Sequence, residues 1–252
     1  MTLYHWPRAA AFGRVIPKNK IYEHAGANTG LKDLFVREVD QIVWSHKLAP
    51  ETVNLAATRQ VAEIQVFRIT ARTATLDRDV LRAIDKAIPF PLIFEVVHGG
   101  RVRLAAAYKR QSLNKRADAD STRWLMGDYF QGNWLPEDEP RAPLPVALNM
   151  GALYERLLEP LVAGQAAQHV PGLGEAPQPP FIPAEAGKPL SLEERIAQAQ
   201  AIKAQARKVE GIKVRLSREK QFNKRVVINA ELRAARQELE RLAARNPGAA
   251  EE

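Results

Sequence analysis

The chain has 252 residues, a net charge of +8 and no cysteine. Its length and 46% hydrophobic content allow a buried core, while the missing cysteines exclude disulfides, thiolate metal sites and cysteine nucleophiles and fit a reducing cytosol. No segment approaches the roughly 20 apolar residues that span a bilayer, and the N-terminal MTLYHWPRAAAFGRVIPKNK lacks a secretory apolar run, so a soluble cytoplasmic protein without membrane association is expected.

Leu31, Leu34, Phe35, Val39, Ile42 and Val43 recur at helical spacing, with Asn28 or Thr29 as the cap, and predict a helix over 30–48. Val61, Ile64, Val66, Phe67 and Ile69 follow in a run apolar on both faces, the pattern of a central strand. Leu76, Val80, Leu81, Ile84 and Ile88 form a helical stripe that stops at Pro89. PLIFEVV, the turn His98-Gly99-Gly100-Arg101 and VRLAAAYKR form a hairpin, because Gly-Gly supplies the positive φ that a tight connection needs. Residues 112–122 are polar and predict a loop, WLMGDYFQ a further strand, and the proline-rich 135–145 an irregular surface segment. Leu148, Leu153, Leu157, Leu158 and Leu161 close a globular α/β (α+β) domain, 1–164, with helices packed on a small mixed or antiparallel sheet.

Residues 165–190 read as a Pro/Gly-rich linker. Ser191-Leu192-Glu193-Glu194 is a capping box before a proline-free run, which predicts a basic amphipathic helix or coiled coil over 191–245 and a disordered tail over 246–252. Ile196, Ile202, Val209, Ile212 and Leu216 make one stripe; Ile228, Leu232, Ala235, Leu239 and Leu242 make a second. The heptad fails near Phe222, so the helix either bends or folds back as a hairpin, with Gly211 and Asn223 as the weak points.

Common nucleotide-binding, zinc-protease and serine-hydrolase motifs are absent, the histidines are scattered, and no cofactor or metal is expected. A metal-dependent nuclease needs carboxylates around a metal and a lysine near the attacking water, which selects Glu63, Asp85, Glu95 and Lys109; they lack the compact acid-x-lysine spacing, and the favoured reading of the four is exposed strand or helix charges. Lys18 and Lys20, beside Tyr22, either contact phosphates or lie in a loop anchored by Ile16 and Tyr22. Trp44, Trp124 and Trp134 lack regular spacing and read as core or ledge aromatics. Lys213, Arg215, Arg218, Lys220, Lys224 and Arg225 give the C-terminal helix a positive face, suited either to a phosphate backbone or to the solvated side of a coiled coil. In the second case Ile212, Leu216, Ile228, Leu232, Leu239 and Leu242 bind a partner or another copy of the chain.

FGRVIPKNKIYE, FVREVDQIVWSHKLAPETVNL, AEIQVFRI, VLRAIDKAIPFPLIFEV, AAYKR and REKQFNKRVVINAELR together resemble the bacterial domain of unknown function 4391 family over nearly the whole chain. The resemblance carries no catalytic residues. It implies accessory proteins of antiviral defence islands, encoded beside helicase-like ATPases and DNA methyltransferases. The expected function is a non-enzymatic accessory subunit of a DNA-targeting, restriction-modification-like system. The alternatives are a divergent metal-dependent nuclease and a stand-alone, sequence-independent nucleic-acid-binding protein.

Overall fold

Pro17 fixes the turn between an edge strand, β1 (Ala11–Val15), and α1 (Lys18–Ala25), and Gly26 ends that helix in the left-handed region at φ 65°. The computed structural model describes residues 2–112, 124–169 and 190–244. The N-terminal lysine pair thus sits on a helix rather than in a loop. Asn28 caps α2 (Thr29–Glu38) by accepting the Leu31 N–H at 2.9 Å.

The helix expected over 30–48 stops ten residues early. Val39 is extended (φ −111°, ψ 127°), and Val39–Leu48 forms strand β2. Val39, Ile42 and Val43 satisfy helical spacing, but they are also β-branched and suit a pleated sheet. Tertiary partners decide between the two: β2 pairs with strands on both sides, Ile42 opposite Ile69 and Val43 opposite Val15. Lys18 Nζ closes the end of α2 by donating to the carbonyls of Phe35 (3.2 Å) and Val39 (2.5 Å).

A short helix α3 (Pro50–Val53) leads to the central strand β3 (Ile64–Ala71). Helix α4 (Arg78–Ala87) is capped by Asp77 and crosses over to β4 (Leu92–His98), which pairs parallel with β3. Gly99 and Gly100, at φ 56° and 72°, make the tight turn into β5 (Arg101–Gln111). β6 (Trp124–Gln131) pairs antiparallel with β5, and the two-residue β7 (Leu135–Pro136) lies against the start of β5. The sheet order is β1-β2-β3-β4-β5-β6, mixed, with only the β3–β4 pairing parallel among the described strands. α5 (Met150–Ala167) runs past the expected domain end at 164. The expected loop over 112–122, the centre of the linker and the C-terminal tail fall almost entirely outside the described residues.

The chain divides into two compact units, Met1–Leu161 and Val162–Glu252. In the first, alternation along the strands puts Phe67, Ile69, Phe94, Val96, Ala105 and Ala107 on one face, in a core with Ile21, Phe35, Val80, Leu81 and Ile84 from α1, α2 and α4. Glu95 and Arg68, paired across β3 and β4, take the opposite face. The N-terminal segment lies over them, held by a bridge between Tyr4 and Ala142.

In the second unit, Ser191 and Glu194 form the expected capping box of α6 (Leu192–Arg218): Ser191 N–H donates to Glu194 Oε2 at 2.8 Å and Glu194 N–H to Ser191 Oγ at 3.3 Å. The helix ends at Glu219, which is extended, and α7 (Phe222–Ala244) runs back along it. Gln198 Nε2 donates to the Leu242 carbonyl and Gln205 Nε2 to that of Ala235, both at 2.9 Å, which fixes an antiparallel hairpin. Gly211 and Asn223 both stay helical; the break falls at 219–221, where the Glu219 carboxylate accepts the Gln221 N–H at 2.8 Å. Among the described residues no helix is long and apolar enough to cross a membrane.

Candidate nucleic-acid interface

Glu63, Asp85, Glu95 and Lys109 occupy three separate places. Asp85, on α4, and Lys109, on β5, do meet: Lys109 Nζ lies 3.2 Å from Asp85 Oδ1, with side chains 2% and 1% exposed. The ammonium also donates to the carbonyls of Asp85 and Ile88, each at 2.5 Å, so its three protons are all engaged at the C-terminal end of α4. Asp85 Oδ2 accepts the Tyr129 hydroxyl at 2.5 Å. Burial pushes the Asp85 carboxyl up and the Lys109 ammonium down, and each charge opposes the shift of the other. The same burial, with Asp85 adding to it, holds the Tyr129 phenol well above its usual range. The Tyr154 hydroxyl donates to the Ala107 carbonyl at 2.8 Å and accepts the Lys109 N–H at 3.0 Å, where the register between β5 and β6 shifts. Among the described residues the network is closed on itself, with the Asp85 and Lys109 side chains shut off from solvent.

Glu95 lies on the other face of the sheet. Its Oε1 accepts Trp6 Nε1 at 2.8 Å and Arg141 Nη1 at 2.6 Å, and its Oε2 faces Arg68 Nη1 at 3.4 Å; Arg68 also binds Glu137. This carboxylate clasps the N-terminal segment and the segment around Arg141 onto the sheet. Glu63, before β3, accepts from Gln65 at 2.5 Å and pairs with Lys47 at 3.2 Å. Among the described residues no group of three or more His, Asp or Glu side chains is placed to hold a metal ion. The four-residue nuclease centre is therefore not assembled: its members are split between two sheet faces and a strand entrance, each taken up by structural partners.

The basic residues sort in the same way. Lys18 is committed to the α2 carbonyls, and burial lowers its pKa. Lys20 is exposed and pairs with Glu23 at 3.1 Å. The six C-terminal cations converge at the hairpin turn: between Lys213 and Arg225 the chain has six Lys or Arg and one acid, Glu219. Lys213 pairs with Glu210, and Arg215 with Glu231 across the hairpin, each at 2.9 Å. Arg218, Lys220, Lys224 and Arg225 are exposed and carry no ion pair among the described residues.

The apolar stripes assigned to a partner are largely used up inside the hairpin. Ile212, Ile228, Leu232 and Leu239 are buried, and Leu216 and Leu242 half-buried, as the two helices cover each other. Covering this stripe needs no second protein. What remains bare is beside the turn: Phe222 is 78% exposed, with Val226, Val227 and Val214 also open. An open groove of about 490 Å³ there is lined by Arg215, Glu219, Asn223, Lys224, Val227 and Ile228. The failed heptad at Phe222 was the sequence signal for this surface, because a residue at the fold-back point has no facing helix.

A family model described as a domain of unknown function, DUF4391, matches residues 5–239, from the N-terminal clasp to the last turns of α7. The chain belongs to the DUF4391 family. A single DUF4391 match thus covers most of both the sheet unit and the hairpin. No curated protein and no solved structure matches the chain.

Proposed function

We propose that this DUF4391 protein is a non-catalytic accessory subunit of a DNA-targeting system and that the turn of its helical hairpin is the nucleic-acid contact. One observation carries the reading: Arg218, Lys220, Lys224 and Arg225 crowd one exposed turn and have no carboxylate partner among the described residues. Like charges so placed repel one another, and a phosphate backbone relieves the repulsion while releasing its own counterions. The N-terminal end of α7 adds the positive end of its dipole at the same turn. Most of these contacts would be to phosphates, which position a protein without reading sequence. The helicase-like ATPase or DNA methyltransferase partner implied by the family resemblance would supply catalysis and sequence choice.

The test is binding of the full-length protein to fluorescent single-stranded and duplex DNA, and to RNA of the same sequence, across a salt series. The wild type is compared with a variant carrying Arg218→Gln, Lys220→Gln, Lys224→Gln and Arg225→Gln. Each phosphate contact contributes about 0.9 to the duplex salt slope, so four lost contacts should lower it by about three to four units. A variant that binds as tightly as wild type, with an unchanged slope, rules out the hairpin turn as the contact. Co-purification with the products of neighbouring genes tests the partner.

A further inference from the structure

Most buried or half-buried cations of the sheet unit are visibly satisfied: Lys109 by Asp85, Arg68 and Arg141 by Glu95, Lys18 by two carbonyls. Arg103 is the exception. It lies half-buried on β5, forms no ion pair among the described residues, and its Nε is sealed from solvent without an acceptor. Burial pushes its pKa down and no carboxylate restores it. The guanidinium stacks on Trp134, 4.5 Å from the ring centroid. Stacking recovers part of the desolvation cost and fixes the plane of the fork, but it uses none of the N–H donors.

Two further groups share this side of the sheet. Arg101, two residues earlier on β5, holds Nη2 3.2 Å from the Trp134 carbonyl and has no ion pair among the described residues. His98, its cross-strand partner on β4, has its ring 6.5 Å from Trp134 and its Nδ1 3.0 Å from the Ala71 carbonyl. With Nδ1 as the donor there, Nε2 is the ring nitrogen left for a ligand. Arg103 and His98 thus border the Trp134 ring, and Arg101 its backbone carbonyl. Arg68, on β3, has the carboxylates of Glu95 and Glu137 beside it; beside Arg103 stands the Trp134 ring instead, which takes up none of its N–H donors.

We infer that Arg103, Arg101 and His98, arranged around Trp134, form an oxyanion site whose ligand is a phosphate group. A guanidinium fork binds a phosphate through two parallel N–H bonds, the second arginine suits its further oxygens and its charge of about two, and the lone pair of His98 Nε2 accepts from the P–OH of a monoprotonated phosphate. A carboxylate would satisfy the fork alone and leave the other two groups idle. The phosphate comes either from a nucleic-acid end or from a free or mononucleotide phosphate.

The experiment titrates the full chain, carrying the four glutamine substitutions at the hairpin turn so that the other basic surface is silent, and follows binding by calorimetry and tryptophan fluorescence. The probes are inorganic phosphate, acetate, adenosine 5′-monophosphate, and one oligonucleotide with and without a 5′-phosphate. Phosphate should bind and acetate should not. Arg103→Gln should weaken phosphate at least tenfold without lowering the melting temperature, because it removes a charge that the fold leaves unbalanced. Arg103→Lys, which keeps charge but loses the fork, should fall between. A preference for the 5′-phosphorylated oligonucleotide identifies a nucleic-acid end, and equal binding of inorganic phosphate and the mononucleotide identifies a free phosphate. The inference is overturned if no phosphate probe binds, or if Arg103→Gln binds phosphate normally. It would also fall if Arg103→Gln lowered the melting temperature by several degrees, since the arginine would then be a structural brace.

Discussion

Lys109 reaches from β5 to Asp85 on α4 and spends all three ammonium protons there, one on the carboxylate and two on carbonyls at the helix end. Such a pair gives little net stability over an apolar replacement, yet breaking it leaves one charge stranded in the core. Lys109→Met and Asp85→Ala are each expected to cost about 3–5 kcal/mol in urea unfolding. The double variant should recover much of that, so the two losses should not add. Tyr129→Phe, which removes a hydrogen bond to a charged acceptor, should cost about 1.5–3 kcal/mol. A catalytic pair would instead give variants of near-normal stability.

Acid should loosen the other face of the sheet through His46. Its Nδ1 is sealed without a partner and its ring lies 6.1 Å from that of Trp6. Burial lowers its pKa, with Arg141 and His5 reinforcing the shift and Glu95 opposing it. When pH falls below the ordinary histidine value, the unfolded chain takes up the proton first, so stability drops until the folded pKa is passed. Urea midpoints measured from pH 8 to 5 should therefore fall more steeply for wild type than for His46→Phe, which keeps a ring and cannot titrate. Parallel curves would remove His46 from this account.

How much of this was readable beforehand depends on whether a pattern had one solution. The Gly99-Gly100 turn and the Ser191–Glu194 capping box follow from residues whose local chemistry admits one geometry; the parallel β3–β4 pairing does not, and the sequence left the sheet mixed or antiparallel. Residues 39–48 admitted two, because Val39, Ile42 and Val43 fit a helical stripe as well as a strand, and only the facing strands choose. Asp85 and Lys109 were legible only as two of four candidate charges; that both are buried and meet depends on α4 packing its inner face onto the sheet. Nothing in the spacing indicates that Glu95 belongs to the other face, or that Trp6 and Arg141, from opposite ends of the sheet unit, close on it. The heptad that fails near Phe222 left a bent helix and a folded-back hairpin both open; the packing of Ile212, Leu232 and Leu239 between α6 and α7 decides for the hairpin.

That packing is itself testable. Leu232 and Leu239 are buried between α6 and α7, whereas Arg215 and Glu231 pair on the exposed surface of the same hairpin. Leu232→Ala should cost about 2–5 kcal/mol of hairpin stability, seen as early loss of helical circular dichroism. Glu231→Gln should change it by less than about 1 kcal/mol. If Leu232→Ala left the helical signal and its melting untouched, the two helices would not be one another's core.

Phe222 is expected to separate single-stranded from duplex binding. Its ring is 78% exposed, two residues before Lys224 and three before Arg225 at the start of α7, and the hairpin leaves it largely uncovered. Unstacked bases offer their π-faces to such a ring, and stacking of this kind is worth about 1–3 kcal/mol per base. Bases in a duplex are already stacked on each other and offer only their edges. Phe222→Ala should therefore weaken single-strand binding about five- to 150-fold, the equivalent of that energy, while leaving duplex affinity and both salt slopes nearly unchanged. Phe222→Trp should keep or strengthen single-strand binding. Equal losses on both substrates would assign the ring to folding of the turn, and circular dichroism of the Phe222→Ala protein distinguishes that outcome directly.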